Sequence, residues 1–338
     1  MKKIGKQTIK FDTPPVIVEC SSIVGPKESD GPLAKYFDKC LDDEFWGEET
    51  WEKAESKIIK ETVNTAISKS QIPVQEIDYC FAGDLLNQCI SSSFGLRELN
   101  IPFFGVFGAC STFVEALSLA AVFIENGINY SICSVSSHFC SAEKQFRFPL
   151  ELGNERPPTS QWTVTGAGAA VLANSANRLH EGPKITYITS GKIVDMGIKD
   201  ANNMGAAMAP AAFDTLITHF KDTGRSPNYY DAILTGDLGH IGKDILKKLC
   251  EDHGYNINSV YNDCGVLIFD KEKQDTHSGG SGCGCCATVF SGYIFKEMKE
   301  RKLKRVLLIA TGALTNATTS QQGESIPGIA HAISVEVD

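Results

Sequence analysis

The chain has 338 residues, of which 42% are hydrophobic and 22% are charged, and its net charge is −9. This length suffices for one large or two fused globular cores, and an acidic chain without a basic run argues against a nucleic-acid binder, which needs basic surface to contact phosphates. Residues 1–11 contain lysines but no apolar core, so we expect neither a signal peptide nor a membrane-spanning segment there.

Segments with the patterns of strands and helices alternate along the chain, and the same order occurs twice: strand, helix, strand, helix, strand and a further strand. This alternation is typical of a parallel-rich sheet covered by helices. Apolar periodicity predicts helices over residues 51–69 and 113–126 in the first half, and over 211–221 and 289–301 in the second.

The two halves also resemble each other in sequence, because similar segments recur in the same order. Two of them are apolar runs that both end in Gly-Asp-Leu, and two others open periodic apolar stretches with small residues. The paired segments are 16–18 with 185–187, 77–85 with 230–238, 108–112 with 283–287, 130–135 with 305–310, and 166–171 with 328–333. We therefore predict a duplicated α/β protein with halves at residues 1–178 and 179–338.

The twelve cysteines are expected to be reduced, because a chain of this length without a secretory signal does not need a disulfide framework. Cys283, Cys285 and Cys286 form the densest group. Their spacing lacks the two-residue gap and the second ligand pair of typical zinc sites, so we predict no metal site there.

Cys110 stands where a strand gives way to the first central helix, among small residues that allow close backbone approach. Helix N-termini carry free N–H groups and about half a positive charge, so two of them meeting across the duplicated halves would favour a carboxylate ligand. A thiol there is expected to have a lowered pKa and to suit nucleophilic chemistry. A small buried residue needed for packing explains the position equally well.

Asp84, Asp237 and His240 follow strands and are expected at the carboxyl edge of the sheet, where open α/β sheets bind ligands. Either aspartate could instead cap the following helix. His138 ends another strand, which gives it a claim to the same cleft. Arg147, between two phenylalanines, could bind a carboxylate or stack at an interface.

A duplicated half with a cysteine at the start of the first central helix resembles the thiolase and ketoacyl synthase superfamily. That resemblance implies a five-layer α/β/α/β/α sandwich in which Cys110 holds the position of the acyl nucleophile. Asp237 stands where the second-half histidine of the synthase III branch would be. Residues 281–282 supply no amide at the asparagine position, and the thiolase Gly-His-Pro signature and second cysteine are absent. A nucleophile without a base or an oxyanion hole is a weak catalyst, so Cys110 is interpreted as a vestigial nucleophile in a protein that is not an enzyme.

The chain more closely resembles the stage V sporulation protein AD family of spore-forming bacteria, over essentially its whole length. The segments that carry this resemblance are 83–88, 108–112, 136–138, 142–147 and 279–285. The resemblance implies a non-catalytic protein of the developing spore that binds dipicolinic acid (pyridine-2,6-dicarboxylate) and supports its uptake. Implied partners are the membrane proteins of the same dipicolinate channel complex, with peripheral association at the inner spore membrane and, by superfamily analogy, a homodimer through the sheet edges of the first half.

We predict that dipicolinate binds at residues gathered around the two central helix starts. No cofactor is expected, apart from a Ca²⁺ ion that could accompany the ligand. The alternatives are an acyl-CoA condensing or thiolytic enzyme that uses Cys110, and a scaffold for a sporulation membrane complex. The predicted ligand-binding residues are Asp84, Cys110, His138, Arg147, Asp237, His240, Cys283 and Cys285.

Overall fold

A computed structural model describes residues 1–146 and 155–338 of the chain. The strands in these ranges are β1 (Lys2–Ile4), β2 (Thr8–Lys10), β3 (Val16–Val24), β4 (Lys39–Cys40), β5 (Tyr79–Gly83), β6 (Phe103–Gly105), β7 (Tyr130–Ser137), β8 (Trp162–Thr163), β9 (Gly166–Ala173), β10 (Lys184–Thr189), β11 (Ala232–Thr235), β12 (Tyr261–Asp263), β13 (Gly280–Ser281), β14 (Arg305–Ala313) and β15 (Gly328–Glu336). The α-helices are α1 (Pro26–Ser29), α2 (Trp51–Ser70), α3 (Ile90–Leu96), α4 (Thr112–Glu125), α5 (Phe139–Phe146), α6 (Met204–Thr223), α7 (Gly239–Asp252), α8 (Cys264–Leu267), α9 (Cys283–Thr288), α10 (Phe295–Lys299) and α11 (Ala317–Gln321).

The strand order is mirrored about the middle of the sheet. It runs β12-β11-β14-β15-β10 and then β3-β9-β7-β5-β6, so each strand of one group has a counterpart at the same distance from the centre in the other. The recurring sequence segments supply the counterparts β3/β10, β5/β11, β7/β14 and β9/β15. Between β3 and β10 the register contains a single residue pair, Val16 with Lys184.

Helices fill the space between the two strand groups and cover their outer faces. The central helix α4 packs on β5 and β7 of its own half and also on β14 and β15, while α9 packs on β3, β7 and β9. On the outside, α2 covers β3, β7 and β9, and α6 covers β10, β14 and β15. The predicted five-layer α/β fold is therefore confirmed.

The helix predictions succeed in the first half and fall short in the second. Helices α2 and α4 begin and end within one residue of the predicted bounds. Helix α6 begins seven residues earlier than predicted and continues through Pro210. Its start was missed because alanine and glycine predominate in its first turns, with only Met204 and Met208 as large apolar residues. The last predicted helix begins at Cys283 and passes through a π-helical segment, Val289–Ile294, before α10.

The predicted boundary between residues 178 and 179 falls in the turn between β9 and β10. The first ten residues cross this division, since β2 pairs with β10 of the second group.

Candidate functional site

A cleft of about 770 Å³, including its open mouth, lies at the start of α4. Its wall combines apolar side chains with hydroxyl and amide groups and one carboxylate. The lining residues are Leu85, Phe107, Ala109, Cys110, Ala142, Glu143, Phe146, Thr163, Ala201, Met204, Ser281, Ala313, Thr315, Asn316, Ala317 and Ser320. Both halves contribute, so the cleft sits where the duplicated units meet.

Cys110 lies at the bottom of this cleft, with only 7% of its surface exposed. The preceding residue, Ala109, has a φ of +52°, a left-handed conformation that turns the chain sharply into α4. The turn is held by the Gly108 N–H, which donates to Thr112 Oγ1, and by the Ser111 hydroxyl, which donates to the Gly108 carbonyl. The fold therefore presents the Cys110 thiol to the cleft on a constrained turn.

Asp237 lies directly behind the thiol and is completely buried. One carboxylate oxygen accepts from Thr311 Oγ1 at 2.7 Å, and the other accepts from Gly282 N at 3.0 Å and Ser281 Oγ at 3.2 Å. The Cys110 thiol is a further hydrogen-bond donor to this carboxylate. Burial raises the pKa of Asp237 to about 6, and these donors limit the rise.

The expected lowering of the Cys110 pKa is wrong. Burial raises the pKa of the thiol well above its ordinary value, and the Asp237 charge raises it further. Desolvation and a nearby anion both disfavour a thiolate. Cys110 is therefore a neutral thiol at physiological pH.

The N–H groups at the start of the second central helix, α9, were expected to be free, but two of them donate hydrogen bonds within the protein. Gly282 N donates to Asp237, and Gly284 N donates to Ser137 Oγ at 3.1 Å. The carboxylate of Asp237 thus occupies the place that the sequence assigned to an anionic ligand.

Cys283 and Cys285 lie in the buried first turn of α9 and do not belong to the cleft lining. The Cys283 thiol donates to the Ser136 carbonyl at 3.0 Å. Burial raises the pKa of both thiols well above the ordinary value. Both residues pack the junction of the two halves behind Cys110.

Asp84 is completely buried, and its contacts are those of a capping residue. It accepts from Leu86 N at 2.9 Å and from both the N–H and the hydroxyl of Ser92, at 2.8 and 2.6 Å. These bonds hold the segment that leads into α3. The structure thus favours the capping interpretation of Asp84.

The two predicted histidines lie away from the cleft lining. His138 is fully buried; its Nε2 bonds the Glu44 carbonyl oxygen at 2.8 Å, and burial lowers its pKa to about 4. His240 lies in a separate shallow depression with Lys271 and His277. The predicted Arg147 lies outside the described residues. Of the eight predicted residues, Cys110 lines the cleft, and Asp237 contacts Cys110 on the side away from the cleft.

Sequence reasoning missed most of the polar lining of the cleft: Thr163, Thr315, Asn316 and Ser320. Thr315 and Asn316 follow the end of β14, which runs parallel to β11. Asp237 was predicted at the carboxyl edge of the sheet because it follows a strand, and the same argument applies to the residues after β14. Applied there, it would have identified Thr315 and Asn316.

The chain matches the family model for stage V sporulation protein AD over residues 5–336. It is 43% identical over 337 residues to the stage V sporulation protein AD of Bacillus subtilis, which covers 99% of this chain and 98% of the relative.

Solved structures share the fold at much lower identity. A variant of OleA from Xanthomonas campestris has a TM-score of 0.61 at 15% identity, covering 96% of this chain and 98% of that one. A 3-oxoacyl-(acyl carrier protein) synthase III from Xanthomonas oryzae has a TM-score of 0.58 at 15% identity, covering 96% of this chain and all of that one. At this identity the likeness shows the thiolase-like fold alone.

Proposed function

This chain belongs to the stage V sporulation protein AD family, and we propose that it is a non-catalytic member of the thiolase-like fold that binds dipicolinic acid and supports its uptake into the developing spore. The observation that carries the non-catalytic part is the contact between Cys110 and Asp237. A nucleophilic cysteine needs a base or a positive neighbour that favours its thiolate. Here the neighbour is a buried carboxylate that opposes it.

The cleft has the chemistry to bind a flat aromatic ligand. Apolar side chains such as Leu85, Phe107 and Met204 can pack against a ring, while the Thr163 hydroxyl and the Asn316 amide can donate hydrogen bonds to carboxylate oxygens. The pyridine ring and its two carboxylates demand both kinds of contact.

The oxygen groups of the described cleft lining also suit the calcium chelate of dipicolinate. They comprise hydroxyls, the Asn316 amide and the Glu143 carboxylate. The 1:1 chelate of Ca²⁺ with dipicolinate carries no net charge, and its metal retains coordination sites for hydroxyl, amide and carboxylate oxygens.

The proposed partners are the membrane proteins of the spore dipicolinate channel complex, with this chain held peripherally at the inner spore membrane. Across residues 1–146 and 155–338, no helix is long and apolar enough to cross a bilayer. We also propose a homodimer through the edge of the first strand group. There β6 is the outermost strand, and Phe103, Phe104 and Phe107 are 40–53% exposed.

Calorimetric titration with dipicolinate, with and without equimolar Ca²⁺, tests the ligand. Ala201 is an exposed residue on the cleft rim, so Ala201→Trp should fill the opening without disturbing the core. We expect saturable binding that is tighter with Ca²⁺ and at least about tenfold weaker in this variant. Ala176→Trp, an exposed position in the turn after β9, is the matched control and should bind like the parent. Equal binding by both variants would place the ligand elsewhere.

The enzyme alternative is favoured by one observation, the exposure of Cys110 to the cleft on its constrained turn. Incubation with radiolabelled acetyl-CoA and mass spectrometry of the Cys110 peptide separates the two functions. Acylation that Cys110→Ser abolishes would overturn the non-catalytic proposal. Absence of both acylation and dicarboxylate binding would leave the scaffold function instead.

A further inference from the structure

Glu44, His138 and Cys140 form a mixed group of metal-ligating side chains outside the cleft lining. One ligand atom of each residue lies within 4.8 Å of the other two. Glu44 belongs to the coil before α2, His138 follows β7, and Cys140 lies in the first turn of α5. We propose that these three side chains bind a Zn²⁺ ion.

The hydrogen bonds of His138 fix the ring in a form suited to metal binding. Nε2 lies 2.8 Å from the Glu44 carbonyl oxygen, which can only accept, so Nε2 carries the ring proton. Nδ1 then holds the lone pair, and it lies 3.2 Å from the backbone nitrogen of Cys140. Metal-bound histidines commonly donate their second N–H to a backbone carbonyl in this way. A metal ion at Nδ1 would replace this contact with the Cys140 N–H.

A second buried carboxyl group, that of Glu28, lies beside Glu44 and has one oxygen without a hydrogen-bond partner among the described residues. Oε2 of Glu28 is inaccessible and has no hydrogen-bond partner among the described residues. The other Glu28 oxygen accepts from Thr165 N at 3.0 Å, and Glu44 Oε2 accepts from the hydroxyl of the same threonine at 3.4 Å. Thr165 thus links the buried Glu28 carboxyl group to Glu44.

The donor set identifies the kind of ion. Thiolate, imidazole and carboxylate together are typical of zinc, whereas Ca²⁺ and Mg²⁺ take oxygen ligands. Three protein ligands leave a fourth tetrahedral position, which water can fill. Glu44 and Cys140 are partly exposed, so the ion has a route in from solvent.

Occupancy of this site would act on the cleft through α5. The helix begins at the zinc ligands and carries Ala142, Glu143 and Phe146 into the cleft wall. A metal ion would tie the coil that contains Glu44 to the first turn of α5. The proposed zinc site thus steadies the wall against which the ligand packs.

Titration of the metal-free protein with Co²⁺, a spectroscopic substitute for Zn²⁺, tests the proposal. We expect one equivalent to bind with a cobalt–thiolate charge-transfer band in the near ultraviolet, and one equivalent of Zn²⁺ to displace it and raise the melting temperature. Cys140→Ser should abolish the band. Glu44→Gln should weaken Co²⁺ binding at least about 100-fold, because the loss of an outer-sphere partner alone costs about 10–100-fold.

Cys40→Ser is the matched control, since Cys40 is the most exposed cysteine and therefore the most open to adventitious metal. Its variant should keep the band and the affinity. No stoichiometric band, or a band that persists in Cys140→Ser and disappears in Cys40→Ser, would overturn the proposal. Circular dichroism of each variant shows whether the fold is intact. If Cys140→Ser fails to fold, Glu44→Gln still tests the site, because this coil position is partly exposed.

Discussion

Replacing Asp237 by asparagine should convert Cys110 from an inert thiol into a reactive one. At pH 8 the carboxylate is ionised, since its pKa is about 6, while the thiol beside it stays protonated. A unit charge about 4 Å away contributes about 4 kcal/mol at the effective dielectric constant of a protein, which corresponds to about 3 pKa units. Burial of Cys110 persists in the variant, so this figure is the upper limit of the fall in pKa.

Alkylation by iodoacetamide, followed by mass spectrometry of the Cys110 peptide, measures the change. Because the rate follows the thiolate fraction, Asp237→Asn should react about 10- to 1000-fold faster than the parent at pH 8. The asparagine amide also faces donors that the carboxylate satisfied, so we expect a loss of about 1–3 kcal/mol in stability. Cys110→Ser identifies the reactive peptide. A folded Asp237→Asn protein whose Cys110 reacts at the parental rate would refute the electrostatic account of the neutral thiol.

Three other changes test the fold around the cleft. Burial raises the pKa of Glu28 from 4.5 to about 8, so the unfolded chain loses this proton first as pH rises. The stability of the fold should therefore fall between about pH 4.5 and 8 by at most about 1.4 kcal/mol per pH unit. In metal-free buffer, Glu28→Gln should melt higher than the parent at pH 8 but not at pH 4.5, and exposed Asp30→Asn should show no such dependence. A Cβ on Gly312 would lie 2.6 Å from a backbone carbonyl of the turn before α4. Gly312→Ala should therefore lower the free energy of unfolding in urea by about 1–3 kcal/mol, whereas Gly105→Ala on the edge strand should change it little. Equal losses in the two variants would contradict the close approach. Phe103→Lys should shift the sedimentation coefficient from dimer to monomer, and an unchanged dimer would place the interface elsewhere.

The fold was predictable from the sequence because the duplication repeats each strand and helix pattern in the same order. Short segments such as 166–171 and 328–333 are weak patterns alone, but their common order in both halves leaves few topologies. The start of α6 was not predictable in the same way. Its first turns are mostly small residues followed by Pro210, and such a sequence becomes helical through packing against α7 and the sheet.

The cleft was predictable in position but not in electrostatics. Small residues around Cys110 correctly indicated a close approach of two helix starts. The sequence could not show that Asp237 would turn inward onto the Gly282 N–H, because that depends on a contact between residues 45 positions apart. His138 likewise ends a strand as expected, yet its ring points to the coil around Glu44, and no local pattern encodes that pairing.

The exchange of elements across the middle of the molecule makes the duplicated halves interdependent. Helix α9 of the second half covers strands of the first, α4 touches strands of both, and β2 leaves the first half to pair with β10. Division of the chain between residues 178 and 179 would therefore leave each fragment with a large exposed apolar surface, and neither fragment should fold by itself. Only co-expression of the two fragments should restore a folded protein. The two repeated halves should therefore unfold in one cooperative transition, and a mutation in either half should destabilise both.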